Sequence, residues 1–371
     1  MWQAEVRIDL DAVRHNVNRL REAAPGAEVM AVVKADGYGH GMLPSARAAL
    51  EAGATQLGVC TVEEALELRR AGLTVPVLAW LLSPGLPLHD AVAADVELSA
   101  ASTTQLGEMV TASSQAGTPA RVHLKIDTGL ARGGATPADW PALVEAAAKA
   151  QADGTVEIIG IWSHLIYADQ PTHPSVDGQI SAFTEGLEVA ARAGIRPRYR
   201  HLANSAATLT RPDTHFDLVR PGLSVYGLSP VAGDTFGLRP AMTARARVML
   251  AKRVPAGQGV SYGHTYHTDG EATLAVVPLG YGDGVPRAAS NAAPVWLGGR
   301  RRTIAGRVCM DQIVLDCGDD PVAAGDEAVL FGPGADGEPT ADDWAAAVGT
   351  INYEIVTRFG GPRVERVYDH E

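Results

Sequence analysis

Short apolar runs alternate with amphipathic, Ala- and Leu-rich helical stretches along the first two-thirds of the 371-residue chain. Because parallel strands are joined by long crossovers, usually helices, this alternation predicts an α/β fold with a parallel sheet. Eight runs favour a closed (α/β)8 TIM barrel, and a doubly wound open sheet is the alternative. The runs are Val29–Lys34, Gln56–Cys60, Val75–Trp80, Val96–Ser99, Arg121–Asp127, Glu157–Ser163, Tyr199–Leu202 and Phe216–Arg220.

Several of the intervening stretches carry helix signals. An N-terminal helix is predicted from about Asp11 to Ala24, ahead of the first barrel strand. Thr61 and Glu64 have the spacing of a capping box, in which two side chains satisfy backbone N–H groups at the start of a helix. Other helices are predicted over Leu43–Ala52, Val62–Ala71 and Gln179–Ala193.

After about Pro240 the pattern changes to β-branched runs separated by Gly-, Asp- and Pro-containing turns, which predicts a mostly antiparallel β domain. One helix is predicted from Ala341 to Arg358, capped by Thr340. We therefore expect an N-terminal strand (1–10) packing with the C-terminal domain, a barrel (11–238) and a C-terminal β domain (239–371). The β runs are Arg245–Leu250, Ala272–Pro278, Ile313–Cys317 and Ala328–Phe331.

Charge and cysteine content exclude several classes of protein. The 43 acidic and 31 basic residues give a net charge of −12, which repels nucleic-acid phosphates and anionic membrane surfaces. Cys60, Cys309 and Cys317 lack metal-binding spacing, so they are predicted to be buried thiols and no metal is expected. The N-terminus lacks a signal-peptide pattern and no apolar stretch is long enough to span a bilayer, so we expect a cytoplasmic protein.

Side chains at the carboxyl ends of barrel strands face the active site. The first strand ends in Lys34, followed by Ala-Asp-Gly-Tyr38-Gly-His-Gly. Desolvation at the end of an apolar strand favours a neutral amine, the form that attacks an aldehyde cofactor. A salt-bridged barrel lysine is the structural alternative. The glycines favour a functional role, because they let backbone and ligand approach closely.

Other polar residues follow later strands. In barrel enzymes the loops after strands seven and eight commonly bind phosphate, and Ser205, Gly222 and Leu223 occupy these loops. Each residue has an ordinary structural alternative: a helix cap for Ser205, a rim ion pair for Arg220, a core histidine for His164. Their convergence on one face favours function. The residues at this face are Lys34, Lys125, Arg132, His164, Ser205, Arg220, Gly222 and Leu223.

Five segments together resemble motifs of the alanine racemase family. The resemblance extends from near the N-terminus to Tyr353. It implies a fold-type III pyridoxal-phosphate enzyme that acts as a head-to-tail homodimer with shared active sites, interconverts L- and D-alanine and supplies D-alanine for peptidoglycan. The segments are Ala-Val-Val-Lys34-Ala-Asp-Gly-Tyr38-Gly-His-Gly, Val219-Arg220-Pro-Gly, Val260-Ser-Tyr262-Gly-His-Thr-Tyr, Gly306-Arg-Val-Cys-Met310-Asp311-Gln and Ile351-Asn-Tyr353-Glu.

The resemblance also implies roles for the cofactor-binding residues. Lys34 would be the Schiff-base lysine and one catalytic base, and Tyr262 of the other subunit would be the opposite base. Arg220 would face the pyridine nitrogen, and His164 would link Arg220 to the catalytic tyrosine. The phosphate would be held by Tyr38, Ser205, Gly222, Leu223 and Tyr353.

Further positions concern the substrate. Arg132 would contact the cofactor's phenolic oxygen and the substrate, oriented by Lys125, a position that is carbamylated in many members. An ordinary salt bridge, to Asp127 or to acids paired with arginines, is the alternative for Lys125. Met310 of the other subunit would position the substrate carboxylate, with core packing in the β domain as its alternative. The entrance would be lined by Asp169, Arg307 and Asp311.

These residue types suit racemisation, which needs two bases on opposite faces of a planar intermediate. A guanidinium at Arg220 only donates hydrogen bonds, so it leaves the pyridine nitrogen unprotonated and discourages side reactions. Met310 and Tyr353 would limit substrate size. The competing interpretations are a fold-type III decarboxylase, a racemase of broader specificity acting on serine or larger amino acids, and a non-catalytic cofactor carrier.

Overall fold

The computed structural model describes residues 2–370, which divide into two compact units. The barrel unit comprises Arg14–Gly37 and Ser45–Leu238. The β unit comprises the N-terminal segment through Val13, the segment Tyr38–Pro44 and the chain from Arg239 onward.

The strands, in chain order, are β1 (Ala4–Asp9), β2 (Glu28–Val32), β3 (Gln56–Val59), β4 (Val77–Ala79), β5 (Glu97–Ala100), β6 (Ala120–Lys125), β7 (Val156–Trp162), β8 (Tyr199–His201), β9 (Leu218–Val219), β10 (Met242–Arg247), β11 (Leu250–Val254), β12 (Gly259–Val260), β13 (Tyr266–His267), β14 (Ala272–Val277), β15 (Pro294–Leu297), β16 (Arg300–Thr303), β17 (Ile313–Asp316), β18 (Glu327–Phe331) and β19 (Glu365–Asp369). The α-helices are Leu10–Ala23, Met42–Glu51, Val62–Arg70, Leu88–Ala93, Thr103–Ala116, Trp140–Ala152, Pro174–Arg192, Ser205–Thr210, Ala341–Val348 and Asn352–Arg358.

The barrel unit is built on one parallel sheet, which has eight strands within residues 2–370, in the order β8-β7-β6-β5-β4-β3-β2-β9. The sheet closes between its two end strands, where the Asp217 N–H donates to the Arg200 carbonyl at 3.1 Å and the Arg220 N–H to the Ala203 carbonyl at 2.9 Å. The (α/β)8 barrel is therefore confirmed over an open sheet, because a closed sheet places all eight strand ends around one opening.

Helix boundaries in the barrel unit follow local capping chemistry. The predicted capping box is present: the Thr61 hydroxyl accepts the Glu64 N–H at 3.2 Å, and the Glu64 carboxylate accepts the Thr61 N–H. Helix Val62–Arg70 then buries one apolar face against the barrel, and helix Thr103–Ala116 ends at Gly117 in the left-handed conformation. The start of the first of these helices and the end of the second thus lie where a cap satisfies backbone groups.

The β unit contains a six-stranded sheet in the order β16-β15-β18-β10-β1-β19 and a three-stranded sheet β11-β14-β17. The N-terminal strand β1 pairs antiparallel with β10 and parallel with β19. The predicted strand Arg245–Leu250 is wrong, since β10 ends at Arg247 and β11 begins at Leu250 in a different sheet. The predicted single helix from Ala341 to Arg358 is also wrong. Gly349, with a φ of 72°, ends the first of two helices.

The prediction of three buried thiols is correct only for Cys317. Cys60 and Cys309 are partly exposed, because each lies in a loop that follows a strand or turn rather than inside one. Within residues 2–370 no cluster of three or more His, Cys, Asp or Glu side chains could hold a metal ion. No helix among the same residues has the length and apolar character needed to cross a membrane.

Candidate active site

Basic side chains gather at the carboxyl ends of the barrel strands. The positive charges of Arg220, Arg132, Lys125 and Lys34 add to burial in lowering the pKa of His164 to about 3. His164 is therefore neutral near pH 7 and exchanges hydrogen bonds without adding charge. A concentration of cations is suited to an anionic ligand.

Lys34 begins a strained turn instead of ending a strand, which corrects the predicted boundary, since β2 stops at Val32. The next four residues, Ala35 to Tyr38, have φ between 51° and 63°. Left-handed backbone costs roughly 1–2 kcal/mol per residue for side chains other than glycine. Such strain persists where the surrounding structure imposes it, and it is concentrated at functional sites.

Glu64 helps to hold this turn. One carboxylate oxygen accepts the Ala35 N–H at 2.7 Å, while the other accepts the N–H groups of Cys60 and Thr61. The capping-box spacing identified Glu64 as a helix cap, but its second contact joins residues 29 positions apart and left no signal in the sequence.

Arg220 is buried, with 5% of its surface exposed, so the rim ion-pair interpretation is wrong. Its Nη2 donates to the Ser163 carbonyl at 2.8 Å, and its Nη1 lies 3.3 Å from His201 Nδ1. Its Cζ also lies 4.7 Å from the centroid of the Trp162 ring. Burial lowers the pKa of Arg220 to about 9, which still leaves the guanidinium charged near pH 7. No role was predicted from the sequence for His201 or Trp162.

Lys125 lies on the same aromatic ring. Its Nζ is 4.2 Å from the Trp162 centroid, a cation–π contact, in place of the suggested salt bridge to Asp127. Burial, followed by the charges of Arg220 and Arg132, lowers the pKa of Lys125 to about 8. A substantial fraction of this amine is neutral near physiological pH, and neutral amines are the form that reacts with carbon dioxide or acylating reagents.

This pKa leads to a labelling prediction. Acetylation of Lys125 by a low dose of acetic anhydride is followed by peptide mass spectrometry over a pH series, in protein freed of carbon dioxide so that any carbamate on the amine is lost. It is expected to reach half its maximal rate near pH 8. A short lysine peptide, with the ordinary pKa of 10.5, serves as reference in the same tube. A Lys125 profile superimposed on that of the peptide would contradict the lowered pKa.

The loops after β8 and β9 form a cradle around Ser205. The Ser205 Oγ accepts the N–H groups of Gly222 at 2.9 Å and Ser224 at 3.3 Å. The helix-cap interpretation of Ser205 is wrong, because Asn204 caps this helix by accepting the Ala207 N–H. Because the Ser205 oxygen accepts hydrogen bonds from two backbone N–H groups, its own O–H remains to act as a donor. A phosphate oxygen is a suitable acceptor for that O–H.

In the β unit, Tyr38 and Tyr353 lie close together, with ring centroids 6.3 Å apart. Gly39 and Gly41, which follow Tyr38, lie so close to other parts of the β unit that a side chain would not fit at either position. A Cβ at Gly41 would lie 2.1 Å from the Tyr368 hydroxyl, and one at Gly39 would lie 2.5 Å from the Val356 carbonyl. Gly39 and Gly41 thus permit close packing within the β unit, a role that was not predicted from the sequence.

Tyr262 and Met310 are exposed, at 70% and 54%, so core packing is excluded for Met310. Their loops are linked by a hydrogen bond of 2.6 Å from the Ser261 hydroxyl to the Arg307 carbonyl. Asp311 pairs with Arg363 at 2.8 Å. Of the predicted entrance residues, Arg307 and Asp311 are exposed in the β unit, and Asp169 is exposed in the barrel unit.

Comparisons with known proteins agree with these features. Two family models match, "Alanine racemase, N-terminal domain" over residues 8–230 and "Alanine racemase, C-terminal domain" over residues 241–368. The alanine racemase of Salinispora arenicola is 73% identical over 100% of both chains, and that of Thermobifida fusca is 59% identical over 98% of both.

Solved structures give the same result. The alanine racemase of the D-cycloserine producer Streptomyces lavendulae is 54% identical, with a TM-score of 0.98 over 100% of this chain and 98% of that chain. The alanine racemase of Corynebacterium glutamicum is 38% identical, with a TM-score of 0.88 over 100% of both chains.

Proposed function

The chain belongs to the alanine racemase family, and from this membership we propose that it is an isomerase that interconverts L-alanine and D-alanine with pyridoxal phosphate. The observation that carries the proposal is the cluster of Lys34, Lys125, Arg132, His164 and Arg220 around the carboxyl ends of the barrel strands. Racemisation on such a cofactor needs an amine anchor, an anion-binding surface and a donor to the ring nitrogen, and this cluster supplies residue types for all three.

Two features of the barrel unit fit pyridoxal phosphate. The Ser205 hydroxyl, which accepts two backbone N–H groups, has a hydrogen to donate to a phosphate oxygen. The buried Arg220 has its guanidinium over Trp162 and suits an unprotonated pyridine nitrogen, to which it can only donate. We assign the phosphate to Tyr38, Ser205, Tyr353 and the backbone at Gly222 and Leu223. When bound, the cofactor withdraws electrons from the substrate α-carbon and makes its proton removable.

We assign the two proton transfers to Lys34 and to Tyr262 of the partner subunit. Lys34 removes or returns the proton on one face of the α-carbon, and the tyrosine hydroxyl acts on the other. His164, kept neutral by burial and four neighbouring cations, can connect Arg220 to that tyrosine by hydrogen bonds. The homodimer follows from the family resemblance, and the exposure of Tyr262 and Met310 leaves both side chains accessible to a second chain.

The remaining assignments concern the substrate. Arg132, oriented by a carbamylated Lys125, contacts the cofactor's phenolic oxygen and the substrate. The Met310 backbone amide of the partner subunit positions the substrate carboxylate, and Met310 and Tyr353 limit the side chain to about a methyl group. Arg307, Asp311 and Asp169 line the entrance. Since Arg220 stands where fold-type III decarboxylases usually carry an acid, the decarboxylase interpretation is disfavoured.

The test combines a spectrum with a substrate series. Purified protein with pyridoxal phosphate is expected to absorb near the visible edge and to form D-alanine from L-alanine. We expect L-serine and L-leucine to react at least about tenfold more slowly, because a single misfitting group costs about 1–3 kcal/mol in a closed pocket. Equal rates with the larger amino acids would favour the broader racemase, and a colourless protein that leaves L-alanine unchanged would refute both.

A further inference from the structure

A line of buried polar side chains runs through the barrel interior to Arg220. Glu97, His123 and His201, here named the histidine relay, have no exposed surface. Glu97 Oε2 lies 2.8 Å from His123 Nε2, and His123 Nδ1 lies 2.9 Å from His201 Nε2. His201 Nδ1 lies 3.3 Å from Arg220 Nη1. The roles proposed above use only Arg220, the last member of the line.

The chemistry of these groups allows one placement of the hydrogens. A guanidinium only donates, so His201 Nδ1 must accept from Arg220. His201 then carries its single hydrogen on Nε2 and donates it to His123 Nδ1. His123, accepting there, carries its hydrogen on Nε2 and donates to Glu97. A cationic histidine at either position would place two donors against each other, so both rings are neutral and every bond points toward the carboxylate.

Glu97 supplies the negative charge at the end of the line. Burial raises the pKa of Glu97, but the hydrogen bond from His123 and the Arg121 guanidinium, 2.7 Å away, outweigh burial and lower it. The carboxylate is therefore ionised. Its two oxygens accept hydrogen bonds from His123 and from Arg121. Its negative charge polarises each hydrogen bond of the relay.

The surroundings fix the two rings. His201 stacks on Trp162 with a centroid distance of 5.7 Å and an interplanar angle of 4°, and it meets His123 edge-on at 5.0 Å. A Cβ at Gly160 would lie 2.2 Å from His123 Nδ1, so only glycine leaves room for this ring. The arrangement thus depends on specific residues of three neighbouring strands.

We propose that the histidine relay is a positioning device for Arg220, which directs the charge of Glu97 to the guanidinium and so keeps the proton on Arg220 instead of on the ring nitrogen of the cofactor. The inference rests on the proposed function, because it concerns how Arg220 meets that nitrogen. An unprotonated ring withdraws fewer electrons, which disfavours transamination, the side reaction in which alanine leaves as pyruvate and its amino group stays on the cofactor.

The first test locates the hydrogens in the unmodified full-length protein. Neutron diffraction, or NMR of protein labelled with ¹⁵N-histidine, is expected to show His123 and His201 neutral, each with its hydrogen on Nε2. A hydrogen on Nδ1 of His201, or a cationic ring at either position, would overturn the relay. This measurement needs no catalytic activity, so it separates failure of the relay from failure of the proposed function.

The second test measures reaction specificity in the holoenzyme. Glu97→Gln keeps an oxygen that accepts from His123 but removes the charge, and Gly160→Ala displaces the His123 ring. Each is expected to raise pyruvate formed per racemisation by roughly tenfold, since a hydrogen bond to a charged group is worth about 1.5–3 kcal/mol. The absorbance maximum of the bound cofactor should shift as well, with KM for alanine within about twofold.

Glu5→Gln is the matched control, because Glu5 is a buried carboxylate paired with Arg245 in the β unit. It should leave both the pyruvate ratio and the spectrum unchanged. An unchanged ratio and spectrum in Glu97→Gln and Gly160→Ala would overturn the relay as a positioning device. If the unmodified protein neither binds pyridoxal phosphate nor racemises alanine, the proposed function fails, whereas the hydrogen positions still decide whether the chain of bonds exists.

Discussion

Lys34→Arg is expected to lower kcat/KM for alanine racemisation by at least about 10³-fold, the upper part of the range for losing a catalytic proton-transfer group. Arginine keeps the positive charge of the cation cluster, but a guanidinium neither forms a covalent link to an aldehyde nor acts as a base near pH 7. The Ala35 N–H, which donates to Glu64 at the start of the left-handed turn, is unchanged by this substitution. A coupled assay for D-alanine measures the loss.

Covalent trapping of the cofactor shows whether Lys34→Arg loses activity because the link between lysine and cofactor is missing or because the protein is damaged in general. Borohydride treatment of the unmodified holoenzyme should abolish the visible-edge absorbance and leave the reduced cofactor on the peptide that contains Lys34. In Lys34→Arg the cofactor should dissociate on dialysis after the same treatment. Lys149→Arg, at an exposed position of helix Trp140–Ala152, is the control and should behave as the parent. Recovery of the label on another lysine would refute the assignment of Lys34.

Tyr262→Phe is expected to lower kcat/KM by about 10³-fold while the cofactor remains bound, because only the hydroxyl that transfers the second proton is removed. L- and D-alanine have equal free energy in water, so kcat/KM must fall by the same factor in both directions. Tyr262 is 70% exposed and the ring is retained, so little change in folding stability is expected. Racemisation and the cofactor spectrum are measured on the same sample.

Exchange with deuterated water separates the two bases. With Lys34 intact, the Tyr262→Phe enzyme should still exchange the α-hydrogen of one enantiomer, the one whose hydrogen faces the lysine, without inverting it. The parent should incorporate deuterium into both enantiomers. Tyr281→Phe, which also alters an exposed tyrosine of the β unit, is the control and should match the parent. Parent-like racemisation by Tyr262→Phe would exclude the tyrosine as a base.

The sequence was sufficient to predict the barrel because most of its eight strands are rich in apolar residues, which are buried on both faces of the sheet. Strand ends were less predictable, since hydrogen bonding decides them. Lys34 falls after β2 because a left-handed turn begins there, and no apolar pattern marks such a turn. Gly349 did carry a signal for the end of a helix, since glycine commonly takes the left-handed position after the last turn.

The residues that hold the site residues in place were harder to predict than the site residues themselves. Glu97 and His123 are polar residues inside predicted apolar strands, and that mismatch was a signal of a buried polar network. Pairing them with His201 required the register between strands, which a single sequence does not contain. The contact of Glu64 with Ala35 depends in the same way on how the helix Val62–Arg70 approaches the turn that follows β2.

Trp162 has a consequence for how this site can change over evolutionary time. Its indole ring contacts three residues of the site. The ring centroid lies 4.2 Å from Lys125 Nζ, 4.7 Å from Arg220 Cζ and 5.7 Å from the centroid of the His201 ring. Residues with a shared neighbour do not respond independently to substitution, so the effects of changes at these three positions should not add. The effect of a change at any one of them will therefore depend on which residues occupy the other positions, and the four residues are expected to vary as a group.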